Sequence, residues 1–446
     1  MKTVIKISVA LSLALGSTLL RAYPLDGYPE TGIARVEGAR LASQGTHIKG
    51  AVKQVPGALL STEQVDIRLR MMPDFELPQV DADLSAQIRE VLGKDADRYG
   101  VTVLDLSDLN KPRYAEWRGD YKQNVGSIGK LLVALGFFQA LKDAYPNDID
   151  GSQRAAVLKN TMVTADDFAK GDHHKIRVFN PETLKLDRHP MRVGERANQW
   201  QFLDWMLSVS SNAAAAMNQR QAMLLRHFGD QFPIPDNEID AFFKQMSSKE
   251  KTALYKRTFW EPISRNGLDI NQIRQGSFFT RAGKNKVNGG GNSYATARQL
   301  MELTLKLEKG QLVDAWSSTQ IKRLLYMTER RIRYASSPVL KDAAVYFKSG
   351  SLYSCKEEAG FKCGKYKGNR KNYMNSLAII ESPAEERDLF YVVIVISNVL
   401  RKNSAYAHQL MATKIHKFMR KAHPPEPAIE KMVEPVSPAI PATGPE

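Results

Sequence analysis

Phe390-Tyr391-Val392-Val393-Ile394-Val395-Ile396 is a continuous apolar run near the C-terminal end of the chain. A strand with one wet face alternates apolar and polar residues, so an unbroken run predicts a strand, Leu389 to Ser397, covered on both faces. Working outward, Asn375 to Glu381 and Ala343 to Ser351 read as two more strands, and a final helix is predicted over Ala405 to Arg420. At the other end, residues 84–94 read as a helix. Gly100 to Leu106 then reads as a strand with β-branched residues at alternate positions. Tyr114 to Trp117 suits its hairpin partner, with the turn near Asn110-Lys111-Pro112. Between these ends, residues 150–330 carry mostly helical periods separated by polar loops, among them Gln199 to Phe228 and Tyr294 to Leu307. Strands early and late with helices between predict one antiparallel sheet built from both ends of the chain and flanked by helices. The helical domain would be inserted in the middle, giving an α/β part over 84–150 and 331–422 and an all-α part over 151–330.

A chain of 446 residues exceeds one ordinary core of about 100–200 residues, which agrees with two interleaved units. Residues 1–22 read as a secretory signal: Lys2 and Lys6 form a basic start, and Ile7 to Leu20 is mostly apolar or small. That core is shorter than the ~20 residues a membrane span needs, and no later apolar stretch is long enough, so no transmembrane anchor is expected after signal removal. The predicted location is periplasmic or secreted. Residues 23–83 form an accessory N-terminal segment with an amphipathic run at Ile33 to Leu41. Residues 423–446 hold seven prolines and read as a Pro-rich disordered tail. The net charge is +15, which suits an anionic envelope surface. The basic residues are scattered and no nucleic-acid module is recognisable, so nucleic acid is not an expected partner. The two cysteines, Cys355 and Cys363, stand a hairpin turn apart. In an exported chain such a pair predicts a disulfide, the alternative being two buried thiols.

Three short motifs carry chemistry. Ser127-Ile128-Gly129-Lys130 opens a predicted helix whose apolar stripe is Leu131, Leu132, Leu135, Phe138 and Leu141. Residues three apart share a helix face, so Lys130 can take the Ser127 proton if burial or a neighbouring cation lowers its pKa. Ser248-Lys249-Glu250-Lys251 has the same spacing in a highly charged stretch and reads as a solvated helix face. Ser210-Ser211-Asn212 precedes an alanine run. Ser210 suits a proton relay to a leaving nitrogen and Asn212 a substrate amide, although a helix cap is the plain alternative. Lys348-Ser349-Gly350-Ser351 ends a predicted strand. There Lys348 would meet a carboxylate, Gly350 would let substrate approach, and the Ser351 N–H would complete an oxyanion hole.

In order, spacing and context these motifs resemble the S-x-x-K, S-D-N and K-T-G set of the class A β-lactamase and penicillin-binding protein superfamily, over about residues 84–422. The resemblance implies a serine hydrolase acylated at Ser127, with Lys130 as base or relay and with Ser210 and Asn212 on the helical side. Lys348, Ser349 and Ser351 would line the strand edge, and no cofactor or metal would be needed. Ser211 stands where that family has Asp, and Ser349 where it has Thr. The deacylating Glu of class A enzymes has its best candidate in Glu261, followed by Pro262, although Glu-Pro is also an ordinary helix start. Asp172-His173-His174 lacks metal-ligand spacing and reads as a polar loop. The implied function is acyl-enzyme hydrolysis of a β-lactam amide by a monomer. The alternatives are a D-alanyl-D-alanine peptidase acting on peptidoglycan, a turnover-deficient wall-binding homologue, or an acyl transferase or esterase on the same scaffold.

Overall fold

The computed structural model describes residues 25–327 and 331–424. The predicted signal, 1–22, and most of the predicted tail lie outside the described residues. Strands β1 (Tyr99–Asp105) and β2 (Arg113–Trp117) form the early hairpin. The middle of the chain contributes three two-stranded ladders: β3 (Met162–Thr164) with β6 (Arg196–Asn198), β4 (Lys175–Asn180) with β5 (Lys185–Pro190), and β7 (Ile273–Arg274) with β8 (Tyr294–Ala295). The late strands are β9 (Ala344–Ser354), β10 (Lys371–Ser382) and β11 (Leu389–Asn398). The main sheet has the order β2-β1-β11-β10-β9, antiparallel throughout. Both ends of the chain therefore build one sheet, as predicted, and β9 is an edge.

The apolar run explains why β11 is central. Alternate side chains of a strand point to opposite faces. Val392, Ile394 and Ile396 accordingly join one buried cluster with the helices of the middle region. Tyr391, Val393 and Val395 join a second cluster under the helices Ala82–Leu92 and Ser404–Ala422. Neither face of β11 meets water, so it needs no polar alternation. On the first face the helix Lys130–Ala144 is buried from Lys130 to Leu141, the central post of the helical layer.

Three details depart from expectation. The predicted helix Gln199 to Phe228 is two helices, Gln199–Leu207 and Asn212–Phe228, broken at the Ser210-Ser211 turn. Tyr294 and Ala295 are β8, and the helix expected there starts at Ala297. The hairpin β4–β5 stands within the stretch read as all-α. Its Phe179 and Leu186 pack with Ile48 as a small cluster of their own, against the N-terminal segment.

That segment is tied down by charge. The Arg35 guanidinium donates twice to Asp204, at 2.5 and 2.7 Å. Arg68 donates to both oxygens of Glu381 on β10, at 3.0 and 2.8 Å, and its backbone N–H donates to Glu308. Lys322 joins Glu308 to Glu381, and all three of these side chains are buried. Burial raises the Glu308 pKa against the pull of Lys322. At Glu381 burial also opposes ionisation, but Lys322 and Arg68 outweigh it and the pKa falls. Breaking one member of such a network strands a buried charge. The accessory segment is thereby fastened to both the sheet and the helical layer.

Candidate active site

Ser127 lies in a single turn of 3-10 helix, Gly126–Gly129, that runs into the helix Lys130–Ala144. Gly126 has φ of 57°, a conformation other residues rarely adopt. Beside the turn, Gly350 of β9 comes so close that a Cβ there would stand 1.9 Å from Val125 O and 2.7 Å from Ser127 N. The glycine expected to admit substrate therefore admits the nucleophile turn itself. A Cβ on Gly126 would lie 3.1 Å from Ser351 N, so the Ser351 amide flanks the same turn.

Lys130 Nζ is 2.9 Å from Ser127 Oγ. It also donates to Ser210 O and Asn212 Oδ1, each at 2.7 Å, and lies 3.3 Å from Ser210 Oγ. Burial pulls its pKa from 10.5 down to about 7, with Arg333 helping and Asp172 opposing. As a neutral amine Lys130 has two N–H groups and one lone pair. The two 2.7 Å acceptors occupy the N–H groups, which leaves the lone pair for the Ser127 proton. Lys348 Nζ donates to Ser210 Oγ at 2.8 Å. Its pKa is also pushed well down, first by burial and then by the charges of Lys130 and Arg333. Ser210 thus stands between two buried lysines.

The Ser210 backbone is left-handed, φ 64°, an unusual conformation for serine that turns its carbonyl onto Lys130. The support comes from further back in the chain. Ser211 caps the following helix by accepting from Ala214 N at 3.1 Å. Its own hydroxyl donates to Asp172 Oδ2 at 2.9 Å, and Ala213 N donates to the same oxygen at 2.9 Å. A carboxylate missing from the Ser210-Ser211-Asn212 motif is thus supplied in space by Asp172. His174 Nδ1 lies 2.6 Å from its other oxygen. Burial disfavours the charged Asp172, yet His174 and the backbone donors of Ala213 and His174 outweigh this and lower its pKa.

A second residue missed in the sequence is Arg333. It donates to Ser349 Oγ at 2.7 Å, to Ser351 Oγ at 3.1 Å and to the Tyr366 hydroxyl at 3.1 Å. No local pattern marks it, because it reaches the strand edge from the first residue of a short 3-10 turn, Arg333–Ser336. Lys348, Ser349, Ser351 and Arg333 together form a donor-rich wall, the chemistry that a carboxylate requires.

The cleft at Ser127 has a volume of about 220 Å³, and its walls include Asn212, Gln275, Phe279, Lys284 and Ser351. Among the described residues, no Asp or Glu lines it. Glu261 begins the short helix Glu261–Arg265, is about half exposed, and lies 3.7 Å from Arg265. It is a solvated helix start and does not line the cleft, so the structure does not bring it to Ser127. Gln275 does line the cleft. Its Nε2 donates to Ser277 O at 2.6 Å, which fixes the amide so that Oε1, buried and without a hydrogen-bond partner among the described residues, faces Gly129. Phe279 covers Lys130, its ring centre 4.7 Å from Nζ. Cys355 and Cys363 are joined, beyond the exposed end of β9.

Among known proteins, the model of the Beta-lactamase enzyme family matches residues 83–361, more than half of the chain. No curated protein sequence matches it. Solved structures similar to it include a mutant of PBP-A in acyl-enzyme complex with penicillin G, at 12% identity and TM-score 0.47, covering 78% of this chain and 100% of that one. A β-lactamase from Sphaerobacter thermophilus has 14% identity and TM-score 0.46, covering 76% and 98%. The TLA-3 extended-spectrum β-lactamase has 14% identity and TM-score 0.46, covering 75% and 98%. At such identities and scores no activity transfers from one chain to the other.

Proposed function

Because the chain belongs to the Beta-lactamase enzyme family, we propose that it is a serine hydrolase that forms an acyl-enzyme at Ser127 from a carboxylate-bearing amide and releases it slowly. The observation that carries this reading is Lys130: a dry amine with pKa about 7, 2.9 Å from Ser127 Oγ. Lys130 takes the Ser127 proton as Oγ attacks the carbonyl carbon. The N–H groups of Ser127 and Ser351 flank the place where the oxyanion forms. The tetrahedral species collapses when Ser210, bridging Lys130 and Lys348, passes a proton to the leaving nitrogen. Arg333, Lys348 and Ser349 hold the substrate carboxylate. Cleavage of the resulting ester needs an activated water, and among the described residues no carboxylate lines the cleft to supply one. This favours a wall-peptide amidase that β-lactams acylate over an efficient β-lactam hydrolase. The apolar start of the chain and the Cys355–Cys363 bond support an oxidising compartment outside the cytoplasm.

The test is intact mass against time with benzylpenicillin, beside Ser127→Ala. A long-lived adduct on the wild type alone is the expected result. A transient adduct with product accumulating would instead support β-lactam hydrolysis. No adduct on either protein sinks the acyl-enzyme reading.

A further inference from the structure

β9 does not end at the cleft. After Ser351 it continues through Leu352, which lines the cleft, and Tyr353 to Ser354, and the chain turns back into β10 at Lys371. Leu352 is 40% exposed and Tyr353 39%, although both sit in a strand at the sheet edge. The connection 355–370 is clamped by the Cys355–Cys363 disulfide. It is also basic: Lys356, Lys362, Lys365, Lys367, Arg370 and Lys371 lie within 17 residues, 355–371. Against them stand Glu357 and Glu358, and Glu358 is already paired with Arg401 at 2.5 Å. None of the six cations has a carboxylate partner among the described residues. Elsewhere the excess positive charge is scattered, whereas here it is gathered on one covalently tied projection.

The projection is joined to the reaction centre. Tyr353 and Tyr366 pack edge to face with ring centres 5.6 Å apart. The Tyr366 hydroxyl accepts from Arg333, which also donates to Ser349 and Ser351. A peptide adding to the free edge of β9 would leave the cleft over Leu352 and Tyr353 and meet the cations next. Lys365, Lys367 and Lys371 rest over the rings of Tyr366, Phe361 and Tyr373, which leaves their charge unneutralised, and such cations beside an exposed edge raise the local concentration of anions.

We propose that the disulfide-clamped hairpin 352–371 is an extended subsite for an acidic peptide, one that carries further carboxylates beyond the amide presented to Ser127. This rests on the reading of Ser127 as the acylated residue. It adds that substrate choice is made outside the cleft, by charge along the β9 edge. The disulfide holds the cations in register with that edge, since a loose loop would have to be ordered on binding.

The experiment uses two acetylated pentapeptides, Glu-Glu-Glu-D-Ala-D-Ala and Gln-Gln-Gln-D-Ala-D-Ala, with binding read by fluorescence anisotropy. Wild-type protein should bind the acidic peptide about tenfold more tightly at low salt, and the preference should fade at about 0.5 M salt. It should vanish in the triple variant Lys356→Glu, Lys362→Glu, Arg370→Glu. It should survive the same charge change at the exposed Lys94, Lys244 and Lys249. Equal affinity for the two peptides in the wild type overturns the proposal. So does a preference that persists in the first triple variant, or tighter binding to a short DNA duplex at equal charge. Benzylpenicillin reads the reaction centre separately: if it acylates both proteins equally, the Ser127 reading stands whatever the peptides show. If it acylates neither, that reading falls and the charge preference is judged alone.

Discussion

The two halves of the active cleft are built differently. On one side, where acylation is proposed, Ser127, Lys130, Ser210 and Asn212 sit at helix starts and are fixed by bonds of 2.7–3.3 Å. On the facing side, Gln275 and Phe279 come from the loop between β7 and the next helix, and one buried acceptor there has no partner among the described residues. On the proposed reading the first half is pre-organised for proton transfer. The second presents an acceptor to water and, among the described residues, no carboxylate to activate it. An enzyme divided in this way should enter the acyl state far more readily than it leaves it.

That contrast is broken most severely at Lys130. Lys130→Met is expected to lower the acylation rate by about 10² to 10⁴, read by stopped-flow with a chromogenic β-lactam. In the wild type the rate should climb with pH through about 7, where the ammonium loses its proton, and level off above it. An acylation rate flat across pH 6 to 8 contradicts Lys130 as base. The same group affects stability. Its folded pKa lies below its unfolded value, so the unfolded chain binds more protons between about 7 and 10.5. Stability contributed at this site therefore rises with pH across that window, which denaturant titrations can follow.

A smaller effect is expected on the other side. Gln275→Ala should slow deacylation about tenfold, about 1.4 kcal/mol, if Oε1 holds the attacking water. Ser277 O loses its donor from Gln275 but keeps Gln219 Nε2 at 3.2 Å, and the lost Oε1 had no partner among the described residues, so the melting temperature should fall only slightly. A much lower melting temperature with unchanged deacylation makes Gln275 a packing residue. Asp172→Asn should lower acylation only several-fold and cost about 1 kcal/mol of stability, because the Ser211 hydroxyl and the Ala213 N–H lose a charged acceptor. Acylation unaffected by this change shows that Ser210 and Asn212 hold their places without it. Smallest of all, Glu261→Gln should leave both steps within about twofold, since an exposed helix-start carboxylate contributes little. A marked drop in deacylation restores Glu261 to the reaction.

Those residues also mark what the sequence made legible. β11 was readable because a strand buried on both faces has only one composition open to it. The Ser127–Lys130 pair was readable because helix geometry fixes a three-residue spacing. Asp172 was not, since it supports Ser211 from 39 residues away and nothing local tells a structural Asp from a solvated one. Arg333 was hidden for the same reason. The hairpin β4–β5 was missed because its few apolar residues are divided, Ile176 joining the main core and Phe179 and Leu186 the N-terminal segment, and so they set no period. Glu261 shows the converse: its sequence context suggested the water-activating loop, yet its side chain is turned to solvent.

The ionic cluster of Arg68, Glu308, Lys322 and Glu381 bears on the order in which the molecule can be finished. Arg68 and Glu381 are 313 residues apart. A chain made from its N-terminus presents Arg68 early and completes β10 nearly last, and contacts so distant in sequence form slowly. Until β10 is in place, Arg68 and Lys322 lack one of their counter-charges and have no reason to leave water. Arg35 can meet Asp204 as soon as the helical layer forms, whereas the stretch around Arg68 must wait for β10. A polypeptide interrupted before β10 leaves the stretch around Arg68 unfastened and open to proteases, so the cluster works as a clasp that shuts only once β10 is laid down.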